Sequence, residues 1–450
     1  MRPTRKDAYK LFHEGTLALA DVERNGIKID VPYLKNQSEK IKKRIQKNQD
    51  LFIQSELGIA WKSVFKEKTN FDSGFQLSKL FQILGIKVKN ITEKGNISVD
   101  EKSLNELVKS IPEIDILLRM RKLKKLEGTY IKNILESCFD GYCHPSFNLH
   151  KVRTYRSSCS EPNFQNIPIR DKEIGNIIRR AFIPRQGRKL LECDYTGIEV
   201  RIACCYHKDP VMVSYIKDKT KDLHRDMAMQ CYSLDKDQIT KDIRYCGKNK
   251  FVFPQFYGDY YVNCAKNLWE AIDEMDLKTA QNIPIKEHLS SSGIKTYSAF
   301  EKHIQKVEKD FWEVKFKKYT EWKKLHYKRY LQYGYFDTLT GFRCSGLMSR
   351  NDVINYPVQG SAFHCLLWSL IQVQNILKEK NMKSLIVGQI HDSIILDIES
   401  SEEEEICEIL KNIMTKKIIE HWDWIIVPLD IEIEITPING SWNEKKEKSK

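Results

Sequence analysis

Asp194 and Asp392 lie far apart in the chain, yet each stands where an apolar, strand-like run stops: Lys189-Leu190-Leu191-Glu192-Cys193-Asp194 and Leu385-Ile386-Val387-Gly388-Gln389-Ile390-His391-Asp392. Two carboxylates at strand ends point to a shared metal site. Neighbouring carboxylates repel unless something positive lies between them, and divalent cations do this in phosphoryl transfer. Between the two runs comes Arg244-Tyr245-Cys246-Gly247-Lys248-Asn249-Lys250, followed by Phe251-Val252-Phe253-Pro254-Gln255-Phe256-Tyr257-Gly258. Cations followed by aromatics suit a nucleoside triphosphate, and Arg244 and Lys248, spaced i and i+4, share one face if the segment is helical. The Gly247-Lys248 pair lacks the upstream glycine of a phosphate loop, so a motor ATPase is unsupported.

These residues need a scaffold, and 450 residues with 41% apolar and 10% aromatic side chains suffice for several packed subdomains. The 74 basic and 61 acidic residues leave a net charge of +13, which favours a polyanionic partner. Twelve cysteines are scattered singly apart from Cys204-Cys205, and no CxxC spacing occurs, which argues against zinc. They read as buried, reduced thiols of a reducing cytoplasm. The start, Met1-Arg2-Pro3-Thr4-Arg5-Lys6-Asp7, has no apolar secretory core, and no uncharged stretch is long enough to span a bilayer. The expectation is a soluble cytoplasmic protein with no membrane partner.

Along the chain, Tyr9 to Ile134 reads as helical, interrupted at Asn70-Phe71-Asp72-Ser73-Gly74. Ile111 to Tyr130 carries Arg119, Arg121, Lys122, Lys124 and Lys125, either a solvated face or a clamp on nucleic-acid phosphates. His144 to Ile183 is irregular and polar, and a strand then runs into Asp194. Val211 to about Lys380 returns to helix, and its basic-aromatic run Phe311 to Tyr319 reads as helix packing and surface. Leu385 to Ile398 reads as a strand pair turning at His391-Asp392, Ile425 to Ile435 as a further strand, and the tail after Trp442 as frayed. No internal repeat is apparent.

An ordered series of motifs resembles the family A DNA polymerases, particularly phage members, from about Leu11 to Trp442. It comprises Thr154-Tyr155-Arg156-Ser157-Ser158, Glu161-Pro162-Asn163-Phe164-Gln165-Asn166-Ile167-Pro168, Asp194-Tyr195-Thr196-Gly197-Ile198-Glu199-Val200-Arg201, the segment Arg244 to Gly258, Asn355-Tyr356-Pro357-Val358-Gln359-Gly360-Ser361, and His391-Asp392. The resemblance implies a multi-subdomain α+β right hand, with an antiparallel palm sheet and helical fingers and thumb. It places an N-terminal helical region and thumb in 1–145, the first part of the palm in 146–210, fingers in 211–383 and the second part of the palm in 384–450. It implies template-directed addition of deoxynucleotides to a primer. Asp194 and Asp392, with the backbone carbonyl of Tyr195, would hold two Mg2+ ions. Glu199 would exclude the ribose hydroxyl, and His224, Arg244, Lys248, Phe253 and Tyr257 would line the nucleotide site. Phe at 253 goes with rejection of dideoxynucleotides. Arg156, Asn163, Gln165, Asn355, Gln359 and His391 would contact primer–template DNA near the insertion point, and Arg121 and Lys125 would hold duplex phosphates from the thumb.

Two departures stand out. The spacing from Lys248 to Tyr257 is one residue longer than the family's, and at about 100° per residue the insertion would swing Lys248 off the face of Tyr257. A π-bulge or a kink ahead of Pro254 would absorb it; otherwise Lys250 takes over. The family's glutamate after His-Asp is Ser393 here, which weakens any three-carboxylate scheme. The resemblance begins at the start of the polymerase module, so proofreading is expected to be absent or on a separate polypeptide, and a processivity subunit is a further expected partner. The expected setting is DNA replication in the cytoplasm, the host's if the chain is from a phage. The competing readings are a catalytically impaired DNA-binding replication factor and a metal-dependent nuclease, which leaves the basic-aromatic segment unexplained.

Overall fold

The apolar runs that end at the two aspartates pair side by side in the computed structural model, which describes residues 3–88, 90–92, 95–167 and 171–448. Met1, Arg2 and Pro168 of the quoted motifs lie outside the described residues. The chain opens with α1 (Arg5–Asn25), β1 (Ile27–Ile29) and α2 (Val31–Gln54). Thr4 caps α1 through a reciprocal box with Asp7, and Asp30 caps α2, supplying acceptors to otherwise orphaned N–H groups. Helix α2 packs on α3 (Glu113–Lys125), and their lobe has its own core of Phe52, Trp61, Leu77, Phe81 and Leu117. Helix α1 instead packs against the main body, so the helical N-terminus is divided between two lobes.

Strand β1 interrupts the stretch expected to be helical from Tyr9 to Ile134. At three residues it is too short to carry an alternating signal. It joins β2 (Cys138–Phe139), β3 (Tyr142–Cys143) and β4 (Phe182–Ile183) in a four-stranded sheet of order β2-β3-β1-β4.

The main sheet is antiparallel and built from β5 (Lys189–Tyr195), β6 (Leu385–Ile390), β7 (Ser393–Ile398), β8 (Ile431–Ile435) and β9 (Lys446–Glu447), in the order β6-β7-β5-β8-β9. Every residue of β7 is buried, which is why β6 and β7 are nearly continuous apolar runs. The hairpin turns at His391-Asp392, with His391 in the left-handed region at φ 48°. Two expectations need correction. The strand expected over Ile425–Ile435 is confined to Ile431–Ile435, since Pro428 lacks a ladder donor. From Asn443 to Lys448 the tail is not frayed: β9 pairs with β8, Lys445 bridges Glu192 and Glu434, and Lys448 bridges Glu403 and Glu404. Paired charges also cover what would be an open sheet edge.

Among the remaining helices, five bear on the site: α4 (Ile198–His207), α5 (Leu223–Tyr232), α6 (Lys241–Cys246), α7 (Phe253–Phe256) and the long α8 (Arg350–Glu379). Helix α8 packs on α1, α4 and β7. The Tyr195 hydroxyl meets Ser369 Oγ of α8 at 2.9 Å, tying β5 to it. The backbone of the Thr154-Tyr155-Arg156 motif lies so close to α8 that a Cβ on Gly360 would stand 2.4 Å from the Thr154 carbonyl oxygen. His364 locks the same junction: Thr340 Oγ1 donates to its Nδ1 at 2.6 Å, and its Nε2–H donates to the Tyr155 carbonyl at 3.1 Å. All twelve cysteines are free thiols, ten of them buried. No described helix is long and apolar enough to cross a membrane.

Burial holds His364 and His207 neutral, pulling both down to about 3, and His326 to about 4. The unfolded chain binds protons below about pH 6.5 that these rings refuse, so the stability they contribute above that pH is lost as pH falls toward their folded values. Each is expected to cost on the order of 1 kcal/mol by pH 5.5. Melting temperatures from pH 7 to 5 should therefore fall more steeply for wild type than for His364→Gln. Equal slopes would show that this ring is not held neutral.

Candidate active site

The site begins with register. Ser393 of β7 and Glu432 of β8 both stand opposite Asp194, and the Tyr195 N–H donates to the Asp392 carbonyl at 3.1 Å. Pairing with β7 thus brings the hairpin turn, and with it Asp392, beside the end of β5. Asp194 is open to the cleft, but the surrounding protein still desolvates its carboxyl and, with Asp392 and Glu192 nearby, raises its proton affinity; Lys445 opposes this. Asp392 is raised by burial and by Glu199, with Arg156 opposing. Two carboxylates that each hold a proton more tightly than usual are a site short of positive charge. Oxygen donors of this kind fit hard divalent cations such as Mg2+. Among the described residues no group of three or more His, Cys, Asp or Glu is arranged to hold a metal, so the available donors are these two carboxylates and backbone carbonyls such as that of Tyr195. Ser393 is buried and donates to the Ile390 carbonyl at 2.9 Å, closing the hairpin turn. Its hydroxyl serves the turn, and the acid in register on the other side of Asp194 is Glu432.

Glu199, in the first turn of α4, connects the Arg156 segment with Tyr257. It accepts from Arg156 Nη1 at 3.4 Å and from the Tyr257 hydroxyl at 3.0 Å. Burial and Glu199 push the Tyr257 phenol up to about 12, so it remains a donor. Glu199, Phe253 and Tyr257 line one pocket with Asn355 and Gln359, which lie one turn apart on α8.

The inserted residue ahead of Tyr257 is absorbed by a π-helical turn, Gly247–Val252, between α6 and α7. Gly247 makes room for it: a Cβ there would lie 2.6 Å from the His224 carbonyl oxygen. The turn leaves Lys248 facing Arg244, His224 and Phe253. Lys248 Nζ is 5.2 Å from the Phe253 ring centre, and the His224 ring meets the same phenyl edge-on at 5.6 Å. Burial, then Arg244 and Lys248, pull the His224 imidazole down to about 4, leaving it neutral near pH 7. Lys250 lies instead beside Cys246, away from this group. Behind the helix, Gln255 donates to Glu308 and accepts from the Trp312 indole, each at 2.7 Å.

Gln165 joins a polar network that sequence reasoning missed. Its amide donates at 2.9 Å to both Ser157 Oγ and Gln389 Oε1, and Gln389 Nε2 donates to the His391 carbonyl at 2.8 Å. Gln389 is 1% exposed, and an amide inside an otherwise apolar strand was the available signal. Asn163 is exposed beside this network, just before the short helix Phe164–Asn166. On α3, most cations are already engaged: Arg119 with Asp115, Lys122 with Asp171 and Glu173, Lys124 with Asp72, and Arg121 with the Val99 carbonyl at 3.0 Å. Lys125 is exposed and has no acidic partner among the described residues.

A sheet bearing two aspartates at one end, a helical lobe carrying clustered cations, and a second helical lobe with its own core define a right-hand polymerase architecture. The sequence model of DNA polymerase family A matches residues 31–444, and the chain belongs to that family. It is 28% identical over 449 residues to DNA polymerase I of Bacillus subtilis (strain 168), covering 98% of this chain and 46% of that protein. It is 27% identical over 368 residues to the DNA polymerase of Bacillus phage SP01, covering 77% of this chain and 37% of the relative. The chain thus spans less than half the length of either. In fold it is similar to the POL domain of Pol1 from M. smegmatis, solved in complex with DNA primer-template and dNTP, with a TM-score of 0.75 at 24% identity over 96% of this chain and 70% of that one.

Gln389→Leu should leave the Ser157 hydroxyl and the His391 carbonyl short of partners and destabilise the fold by about 1–3 kcal/mol. Urea unfolding measures this; an unchanged midpoint would mean that water replaces the amide without cost.

Proposed function

We propose that the chain is a template-directed DNA polymerase that adds deoxynucleotides to a primer terminus. The observation that supports this reading is the hydrogen bond between Glu199 and Tyr257, which links the surroundings of Asp392 to the segment that gathers Lys248, His224 and Phe253. A nuclease needs the carboxylates but has no use for a cation-aromatic pocket. Asp194, Asp392 and the Tyr195 carbonyl would hold two Mg2+ ions, which when bound supply charge neutralisation and a more acidic primer hydroxyl. The chain's own residues do the rest. Arg244 and Lys248 meet the triphosphate as cations, and neutral His224 donates a hydrogen bond to it. Phe253 packs against the sugar and, lacking a hydroxyl, gives a dideoxynucleotide no substitute partner. Glu199, held by Arg156 and Tyr257, fills the space a ribose 2′-hydroxyl needs.

Primer–template DNA is the proposed partner. Asn355 and Gln359 face the same pocket with amide groups, which suit the minor groove because its acceptors are similar for all base pairs. Arg156, bound to Glu199, and Asn163, Gln165 and His391, in or beside the Gln389 network, take primer or template groups. Lys125 holds duplex phosphate from the thumb lobe, whereas Arg121, bound to the Val99 carbonyl, steadies that lobe from within.

Extension of a recessed primer in Mg2+ with the four deoxynucleotides should proceed for wild type and be abolished in Asp194→Ala and Asp392→Ala. Duplex binding without extension by wild type would point to the binding-factor reading. Within the nucleotide site, Lys248→Ala should raise the deoxynucleotide KM about tenfold or more, and Lys250→Ala should leave it nearly unchanged. The reverse pattern would move the role to Lys250. Wild type should discriminate strongly against dideoxynucleotides and Phe253→Tyr only weakly; ready termination of wild type by equimolar dideoxynucleotide would show that Phe253 is not the sugar contact.

A further inference from the structure

One carboxylate at the edge of the cation cluster is bound on both of its oxygens, and each bond goes to a different part of the nucleotide site. Asp222 stands just ahead of α5. Its Oδ1 accepts from the backbone N–H groups of His224 at 3.0 Å and Arg225 at 3.1 Å, so the helix N-terminus fixes the carboxylate in place. Its Oδ2 accepts from Arg244 Nε at 2.6 Å. A guanidinium is planar with its N–H groups in a fixed fork, so holding Nε narrows the orientations open to the group and leaves the edge away from the carboxylate to point elsewhere. The two helices joined in this way are also held in backbone contact by Gly247 against His224. Arg244 remains 44% exposed in its side chain, with its terminal nitrogens available to a ligand.

We propose that Asp222 is a positioning residue for triphosphate binding: it holds the Arg244 guanidinium in its receiving orientation before the nucleotide arrives. The inference rests on the polymerase reading above. A free arginine loses its rotamer freedom on meeting a phosphate, whereas one already tethered at Nε has lost most of it on folding, so the nucleotide binds a prepared fork. His224 gains from the same anchor, since its backbone N–H is one of the two that Asp222 accepts and its ring shares the cluster with Phe253.

The sign of the effect separates positioning from simple electrostatics. A carboxylate beside a polyanion repels it, so on charge alone its removal would tighten nucleotide binding. Positioning requires the opposite. Asp222→Asn keeps a helix-capping side chain while removing the charge that grips Arg244, and Asp222→Ser, also a good cap, is the second variant should the first fold poorly. In steady-state primer extension, Asp222→Asn should raise the deoxynucleotide KM roughly five- to tenfold with kcat changed less than about twofold, at an unaltered melting temperature. In an Arg244→Ala background the same substitution should raise KM no further, because there is nothing left to position. A lower or unchanged KM in Asp222→Asn, or an undiminished rise in the Arg244→Ala background, would overturn the proposal. Should wild type fail to extend primers, the polymerase reading falls first, and calorimetry with inorganic tripolyphosphate then tests Asp222 by itself. Weaker binding by Asp222→Asn than by wild type supports positioning; equal binding, or none by wild type, refutes it.

Discussion

Everything at the cleft depends on the pairing of β5 with β7. The register that sets Ser393 opposite Asp194 also brings the His391-Asp392 turn to the end of β5, where the Tyr195 N–H binds the Asp392 carbonyl. Two carboxylates are thereby held where burial raises the proton affinity of both, helped at Asp194 by Asp392 and at Asp392 by Glu199, an arrangement that costs stability in the absence of a cation. What holds them is the burial of β7 on both faces and the clamp of α8, through Tyr195 and Ser369 on one side and the Thr154–Arg156 segment on the other. A one-residue slip would send Asp194 to the opposite face of the sheet, so the apolar strands are what enforce the electrostatics.

The segment from Arg244 to Tyr257 solves a different geometric problem. An extra residue in a helix normally rotates everything beyond it by about 100°, which would break the face shared by Arg244, Lys248 and the aromatics. A single π turn takes up the residue where Gly247 lies against the backbone of α5, and the cations and Phe253 remain together. Ser393 shows the same economy on the palm side. Where the family has a glutamate, this chain has a hydroxyl that closes its own turn.

Helix α3 shows why a row of cations is weak evidence by itself. Of the five basic residues on α3 singled out in the sequence, three are in ion pairs and Arg121 is bound to a backbone carbonyl. Arg121, Lys122 and Lys124 join α3 to the loops at Val99 and Asp72 and to the segment around Asp171, Arg119 pairs within the helix, and Lys125 is left facing outward. Exposed pairs of this kind contribute little stability individually, but they fix which cations remain free for a polyanion.

The candidate site was legible in the sequence wherever a motif put a particular residue type at a particular place: Asp194 and Asp392 at strand ends, the Arg244 and Lys248 face, Glu199, Tyr257, and the amides of α8. The hairpin Leu385 to Ile398 was equally plain, because a buried strand pair needs unbroken apolar runs around a turn. What the sequence left open were matters of pairing between distant segments. β1 and β9 are too short to announce themselves and exist only because a partner strand offers hydrogen bonds. The choice between Lys248 and Lys250 as the cation facing His224 depends on helical phase, the engagement of Arg121 on where Val99 folds, and the roles of Gln389 and Asp222 on groups brought close only by folding. By itself the sequence determined which functional groups the protein possesses and the family to which it belongs; the tertiary structure decided which of those groups face one another, because hydrogen bonds and charge interactions act over a few ångströms of space, whatever the separation along the chain.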